Sequence, residues 1–318
     1  NLFFYFSSIL VFLKPFILKK TYSDWNNQNL SLESKLKLLN TTKKISFMNY
    51  DYEPGAKNLK QNLNCIHIGA NIVFLPKIDS TNNLAKEYAK SNAPEGLVIV
   101  ADSQTGGRGR MGKSWHSPPK TGVYLSILLK PPLKTDQLSL ITLVAGVSAI
   151  ETINEFSHQS ANLKWPNDIL INGKKVCGLL CEMIPNKENP CFLVIGIGIN
   201  ANQVAGQFPE DLNKTATSLR IINGSPTNRL DVIQSLLKNI DREYHGFLTD
   251  GGNSVIKKWG FHSNLFGKRV SIQHGSTITT GTAMRIDSLG RLVLLLDNQH
   301  EEAFDSGEIS LNKNYFEI

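Results

Sequence analysis

The sequence predicts an α+β protein, with helices laid on a mixed sheet and a small all-β unit at the C-terminal end. Two patterns carry this expectation. Over residues 65–265, short apolar runs alternate with helical periodicities. After Gly267, strand-like runs follow one another with little but glycine turns between them. Length and composition set the scale: 318 residues, 41% hydrophobic and 19% charged, can fill more than one core and are too apolar for wholesale disorder. No apolar run reaches the ~20 residues that span a bilayer, so no membrane association is expected.

Each element has a local reason. Ile72-Val73-Phe74-Leu75 reads as a short buried strand. Residues 82–91 place Leu84, Ala85, Tyr88 and Ala89 on one helical face, with Ser80 or Thr81 as the cap. Leu97–Ala101 and Val123–Leu129 are further strands, the second stopped by Pro131-Pro132. Residues 137–156 form a long apolar helix whose Ala145, Gly146, Ser148 and Ala149 allow close packing. Residues 176–183 and Phe192–Ile199 read as adjacent strands, and 228–248 as an amphipathic helix. Four strands close the chain, over 268–273, 278–286, 291–296 and 301–305.

Residues 1–64 differ from the rest. Nine lysines against four acids give them +5 of the chain's net +7, and they contain no arginine. They lack the basic leader and cleavage site of a secretory signal and the arginines of a mitochondrial presequence. They read as a truncated or degraded upstream domain, with a targeting segment as the alternative. The remaining 254 residues carry only +2, so the overall basicity is not a nucleic-acid signature of the whole chain. Four cysteines are too few for a disulfide scaffold and fit a reducing, cytoplasmic setting. Seven scattered histidines show no metal-ligand spacing.

The most informative stretch is Asp102–Trp115, DSQTGGRGRMGKSW. Gly107-x-Gly109-x-x-Gly112 satisfies the dinucleotide fingerprint, and Gly107-x-x-x-x-Gly112-Lys113-Ser114 the P-loop. Both need a helix to begin at that point so that its amides can hold phosphate. Here Trp115-His116-Ser117-Pro118-Pro119 follows, and the prolines forbid that helix. What remains is a glycine loop armed with Arg108 and Arg110, suited to gripping a carboxylate or phosphate.

Two further clusters matter. In Lys164-Trp165-Pro166-Asn167-Asp168, Pro166 makes a corner that presents Asn167 and Asp168 at the start of a strand. Asn172-Gly173 then forms a type I′ hairpin that returns Lys175 to a depth similar to that of Asp168. In Ile195-Gly196-Ile197-Gly198-Ile199-Asn200, one strand face lacks side chains, and another element or a flat ligand must cover it. Cys177 and Cys181 fit a core strand. No nucleophile–base pairing is evident, which favours a reaction without a covalent enzyme intermediate.

Together these clusters resemble the biotin protein ligase (biotin–[acetyl-CoA-carboxylase] ligase) family over residues 65–318. The matching motifs are Asp79-Ser80-Thr81-Asn82, Gln104-Thr105-x-Gly107-Arg108-Gly109-Arg110-x-Gly112-x-x-Trp115, Lys164-Trp165-Pro166-Asn167-Asp168, Lys175-Val176-x-Gly178-x-Leu180-x-Glu182 and Gly196-x-Gly198-x-Asn200. The resemblance implies a class II synthetase-like catalytic domain at 65–265 and an SH3-like β domain at 266–318. It implies activation of biotin by ATP and Mg²⁺ as biotinyl-5′-AMP, then transfer to a lysine of a biotin carboxyl carrier domain. Ser80, Thr81, Asn82 and Gln104 would bond the biotin head. Arg108, Gly109 and Arg110 would close over biotin and adenylate. Lys175 would hold the biotin carboxylate, and Trp115 would pack near adenine. Asn167, Asp168 and Asn200 would line the adenylate side, with Asp168 as Mg²⁺ ligand or orienter of the incoming lysine. Lys175, Arg108 and Asp168 are the expected catalytic groups.

Two departures stand out. Lys113 occupies a position where the family often has Arg. Residues 1–64 have the length and basicity of a winged helix-turn-helix, but Leu2–Leu13 is too uniformly apolar for a recognition helix. They read as a degenerate winged-helix segment, and DNA binding is not expected; the resemblance allows a homodimer. A lipoate ligase or octanoyl transferase, a biotinyl-AMP-sensing DNA-binding regulator and a pseudoenzyme remain as alternatives.

Overall fold

One mixed sheet, whose central strands are buried on both faces, organises the larger part of the described residues. The computed structural model describes Leu59 and residues 63–131, 138–185 and 191–311; nearly all of the segment 1–64 lies outside these. Seven strands are β1 (Ile72–Leu75), β2 (Leu97–Ala101), β3 (Val123–Leu129), β4 (Asn162–Lys164), β5 (Asp168–Ile171), β6 (Lys174–Ile184) and β7 (Phe192–Ile199). They hydrogen-bond in the order β1-β2-β3-β7-β6-β5-β4. β1 and β2 are parallel, joined by helix α1 (Thr81–Lys90); the other pairs are antiparallel.

The two faces of the sheet bury different elements. Ile195, Ile197 and Ile199 of β7 join the large core under helix α2 (Leu138–Phe156), with Leu143, Val144, Val147 and Ile150. Phe192 and Val194, on the opposite face, pack with Ala85 and Ala89 of α1. This is the period-2 rule acting on one strand. α2 is apolar nearly all round because it is central: Ser139–Phe156 is long and apolar enough to cross a membrane by composition, and two-thirds of it is buried inside the fold.

Three further helices are α3 (Leu219–Asn223), α4 (Arg229–Asp250) and α5 (Asn253–Phe261). Asn228 caps α4 by accepting from Leu230 N at 3.0 Å, and Gly251 ends it in the left-handed conformation. α3 and α5 were not expected. α5 buries only Val255 and Trp259 among its lysines and polar residues, too few positions to display a period.

The C-terminal unit has five strands where four were expected: β8 (Arg269–His274), β9 (Thr277–Ile286), β10 (Leu292–Leu295), β11 (Glu301–Phe304) and β12 (Glu308–Leu311). They form an antiparallel sheet in the order β11-β10-β9-β8-β12. β12 escaped notice because it is a four-residue edge strand that makes its sheet bonds to β8 alone. Val270, Ile272, Ala283, Leu292 and Leu294 belong to the same buried cluster as the seven-stranded sheet.

Candidate active site

The glycines of β6 and β7 meet across the sheet. Gly178 pairs with Gly198, and Gly198 with Tyr124 of β3; the next row runs Leu180, Gly196, Ser126. On the α1 face this leaves a strip of bare backbone. A Cβ on Gly198 would stand 2.4 Å from Trp115 Nε1, and one on Gly178 would stand 2.8 Å from its Cζ3. A Cβ on Gly196 would stand 2.2 Å from Asn82 Oδ1. The bare face is therefore covered by the Trp115 indole lying on two glycines and by Asn82 on the third.

One end of the strip is a closed hydrogen-bond network. Ser80, Thr81 and Asn82 are buried at the start of α1. Ser80 occupies the N-cap position, but its side chain makes no cap bond. Thr81 N and Oγ1 donate to Gln104 Oε1 at 2.9 and 3.1 Å, and Gln104 Nε2 donates to Ser117 Oγ at 3.0 Å. Ser126 Oγ lies 2.7 Å from Thr81 Oγ1 and 2.5 Å from Asn82 Oδ1. Asn82 Nδ2 donates to Glu182 Oε2 at 2.9 Å. Burial makes such a network costly to leave half-satisfied, so it fixes the orientation of each member.

The other end is ionic. Lys175 Nζ lies 2.6 Å from Asp168 Oδ1 and 5.4 Å from the centre of the Trp115 ring. A bulge brings Lys175 there. Ile169 of β5 pairs with Cys177, yet Leu170 pairs with Lys175, so β6 carries an extra residue at Val176. Val176 and Cys177 both enter the core, and Lys175 is turned onto the face of Gly178 and Glu182. Its backbone is held by Lys175 N donating to Thr215 O and Thr217 N donating to Lys175 O. Asn200 is buried and donates to the carbonyls of Thr217 and Lys175. Trp115 Nε1 is buried and has no hydrogen-bond partner among the described residues.

The Gly-Arg loop joins the two ends. It is a hairpin, with Trp115 N donating to Gly107 O and Gly109 N donating to Lys113 O, around a single 3₁₀ turn at Arg110–Gly112. Met111 and Gly112 both adopt the left-handed region. No helix follows, so neither a P-loop nor a dinucleotide loop exists here. The two arginines diverge. Arg108 NH2 reaches Glu182 Oε2 at 2.5 Å. Arg110 NH1 donates to Asn167 Oδ1 at 3.3 Å and to Gly307 O at 3.5 Å, and Lys113 pairs with Glu308 on β12. Asn167 Nδ2 in turn donates to Leu179 O at 2.6 Å.

The electrostatics follow the burial. Burial pulls the Arg110 guanidinium below its ordinary value, and the nearby charges of Asp168 and Glu308 partly restore it. Burial pushes the Glu182 carboxyl up, but Lys86, Asn82 and Arg108 outweigh it and hold the group below the usual carboxylate range. Burial raises the Cys181 thiol to about 11 and that of Cys177 further, so neither is a nucleophile at neutral pH.

The sequence did not single out Ser117, Ser126 or Lys86, and it gave Glu182 only as a motif position without a role. Ser126 left a signal, as the one hydroxyl within the apolar run VYLSILL besides that of Tyr124. Lys86 left little, because an ordinary surface charge looks the same in a sequence. Among the described residues no three His, Cys, Asp or Glu side chains gather to cage a metal. A lone carboxylate such as Asp168 fits a nucleotide-borne Mg²⁺, which takes one or two carboxylates together with substrate phosphates.

Comparison with known proteins is consistent across sequence and structure. The biotin/lipoate A/B protein ligase family matches residues 74–200, and the biotin protein ligase C-terminal domain matches residues 265–312. The bifunctional ligase/repressor BirA of Bacillus subtilis is 36% identical over 244 residues, covering 77% of this chain and 75% of that protein. The biotin–[acetyl-CoA-carboxylase] ligase of Mycobacterium tuberculosis is 29% identical over 221 residues, covering 68% and 79%. The biotin protein ligase of Aquifex aeolicus, solved with biotin and ATP, superposes with a TM-score of 0.67 at 33% identity, covering 77% of this chain and 99% of that one.

Proposed function

The chain belongs to the biotin protein ligase family, and from that premise we propose how its own residues divide the work of an ATP-dependent biotin ligase. Its sheet is the class II synthetase-like fold of those ligases, with the SH3-like sheet behind it. The substrates are biotin, ATP and a biotin carboxyl carrier domain.

Biotin's ureido head lies against Thr81, Gln104, Asn82 and Ser80, with Ser126 fixing the first and third of these. Its carboxylate points along the glycine strip toward Lys175. A carboxylate oxygen forms the new bond to the α-phosphorus of ATP while the bond to the β-phosphate oxygen breaks, releasing pyrophosphate and leaving biotinyl-5′-AMP. Two anions must approach for this, and Lys175, Arg108 and Arg110 offset their repulsion. Lys175 exchanges its contact with Asp168 for the substrate anions. Asp168, so freed, would hold a nucleotide-borne Mg²⁺, which supplies further charge neutralisation, or orient the incoming lysine. Trp115 takes adenine, Asn167 steadies Arg110, and Asn200 acts through the backbone of Lys175. The carrier lysine amine then attacks the anhydride carbonyl and AMP leaves.

The observation that carries this reading is the glycine strip, which joins a preformed hydrogen-bond network to an ion-paired lysine under a loop with two arginines. No covalent intermediate is needed, in keeping with the raised thiols. Biotin-dependent exchange of labelled pyrophosphate into ATP tests it, with lipoate as the competing acid. Biotin is expected to support exchange and lipoate to fail; the reverse would transfer the chain to lipoate chemistry. The four free cysteines support a reducing, cytoplasmic setting.

A further inference from the structure

Gln203 has no assigned part in the reaction described above, yet it is fully buried and joins three segments of the chain. Its Nε2 donates to Tyr124 Oη at 3.3 Å and to Asn200 Oδ1 at 3.1 Å, and its carbonyl accepts from Ser218 Oγ at 2.6 Å. Tyr124 Oη in turn donates to Pro118 O at 3.2 Å. Burial pushes that phenol up to about 12, so it keeps its proton and can accept from Gln203 while donating to Pro118. Asn200 Nδ2 donates to Lys175 O at 3.4 Å and to Thr217 O at 3.0 Å. A relay therefore runs from β3, through Gln203 and Asn200, to the main chain of Lys175. Tyr124 lies in the same row as Gly198 and Gly178, so the relay starts beside the glycine strip.

We infer that Gln203 is a positioning residue for adenylation, which fixes the amide of Asn200 and, through it, the main chain that carries Lys175. Counting donors favours this over a packing role. Both hydrogens of each amide are committed, those of Gln203 to Tyr124 and Asn200 and those of Asn200 to two carbonyls. Asn200 therefore has one orientation, because turning its amide over would set Nδ2 against Gln203 Nε2 and Oδ1 against two carbonyl oxygens. Gln203 Oε1, by contrast, is buried with no partner among the described residues. A side chain kept only for its volume would be apolar, since an unpaired buried acceptor is destabilising. What the glutamine adds is its two donors, and both serve the relay. Lys175 needs such support because it stands at a bulge, where the β5–β6 ladder is interrupted and its carbonyl is held by Thr217 N and Asn200 Nδ2. The part given to Lys175 rests on the ligase reading; the orientation of Asn200 does not.

Gln203→Met removes both donors and keeps the length of the side chain. In pyrophosphate exchange its kcat is expected to fall about tenfold, the scale of one buried hydrogen bond, with KM for biotin within about twofold because the Thr81–Gln104 network is untouched. Gln203→Met combined with Asn200→Ala is expected to match Asn200→Ala alone, since the first acts through the second. Tyr124→Phe removes only the anchoring hydroxyl and is expected to lower kcat about threefold at the same KM; it carries the test where Gln203→Met does not fold. An unchanged kcat, a biotin KM that rises as much as kcat falls, or effects that multiply in the double variant would each overturn the inference. Wild-type protein lacking biotin-dependent exchange would instead remove the ligase reading. The side-chain amide signals of Asn200 in nuclear magnetic resonance would still decide its orientation: they are expected to shift and to exchange faster with water in Gln203→Met, and unchanged signals would overturn the relay itself.

Discussion

The two ends of the glycine strip are built on opposite principles. At the Thr81–Gln104–Ser126 end the side chains, buried at Thr81 and Ser126 and half-buried at Gln104, bond to one another, so the shape exists before any ligand. At the Asp168–Lys175 end an ion pair and an indole fill the space, and their contacts must be exchanged when substrate enters. Recognition of a neutral polar head suits the first end, because a fixed donor–acceptor pattern discriminates by leaving groups unpaired when the ligand is wrong. Stabilising transferred charge suits the second, because a cation held by a weakly competing carboxylate is ready for a stronger anion.

That contrast can be broken by substitution. Lys175→Ala should have the largest effect, slowing pyrophosphate exchange by about 10²–10³ while biotin binding, measured by calorimetry, stays within a few-fold. Loss of biotin binding together with exchange would make Lys175 part of the recognition end instead. Ser126→Ala removes the hydroxyl between Thr81 and Asn82 and should weaken biotin binding about tenfold, the scale of a buried hydrogen bond left half-made. Its ATP dependence should not move. Lys113→Gln or Glu308→Gln should have the smallest effect, at most about threefold in either substrate's KM, because that pair is exposed. A larger loss would mean that the C-terminal sheet sets the loop's position. Acid should act late on the Arg108–Glu182 contact: a carboxyl held below its ordinary 4.5 contributes fully above that value and is lost as pH falls through its lowered one. Loop hydrogen exchange, corrected for the intrinsic pH dependence, should therefore be flat from pH 7 to about pH 5.

Much of this was legible in the residues. The alternation IGIGI showed a bare strand face, the two prolines after Trp115 excluded both phosphate-loop readings, and Asn172-Gly173 gave the hairpin, with both residues at positive φ as type I′ requires. What covered the bare face was not legible, because Trp115 and Asn82 reach it from separate segments. Neither was the bulge at Val176, since a one-residue slip leaves no mark in an apolar strand. The partner of Arg108 was hidden for a third reason: Glu182 is 74 residues away in sequence, and only the sheet brings it near. The C-terminal edge strand left too little pattern, being four residues long, with Ile309 buried between exposed Glu308 and Ser310.

If the two ends of one strip read different substrates, substituting its glycines separates them most cleanly. A Cβ at residue 196 displaces Asn82, while one at residue 198 displaces Trp115. Steady-state pyrophosphate exchange on Gly196→Ala and Gly198→Ala, varying biotin and ATP separately, measures both. Gly196→Ala is expected to raise KM for biotin by about tenfold or more with the ATP value nearly unchanged, and Gly198→Ala to do the opposite. Equal rises in both constants for either variant would contradict it.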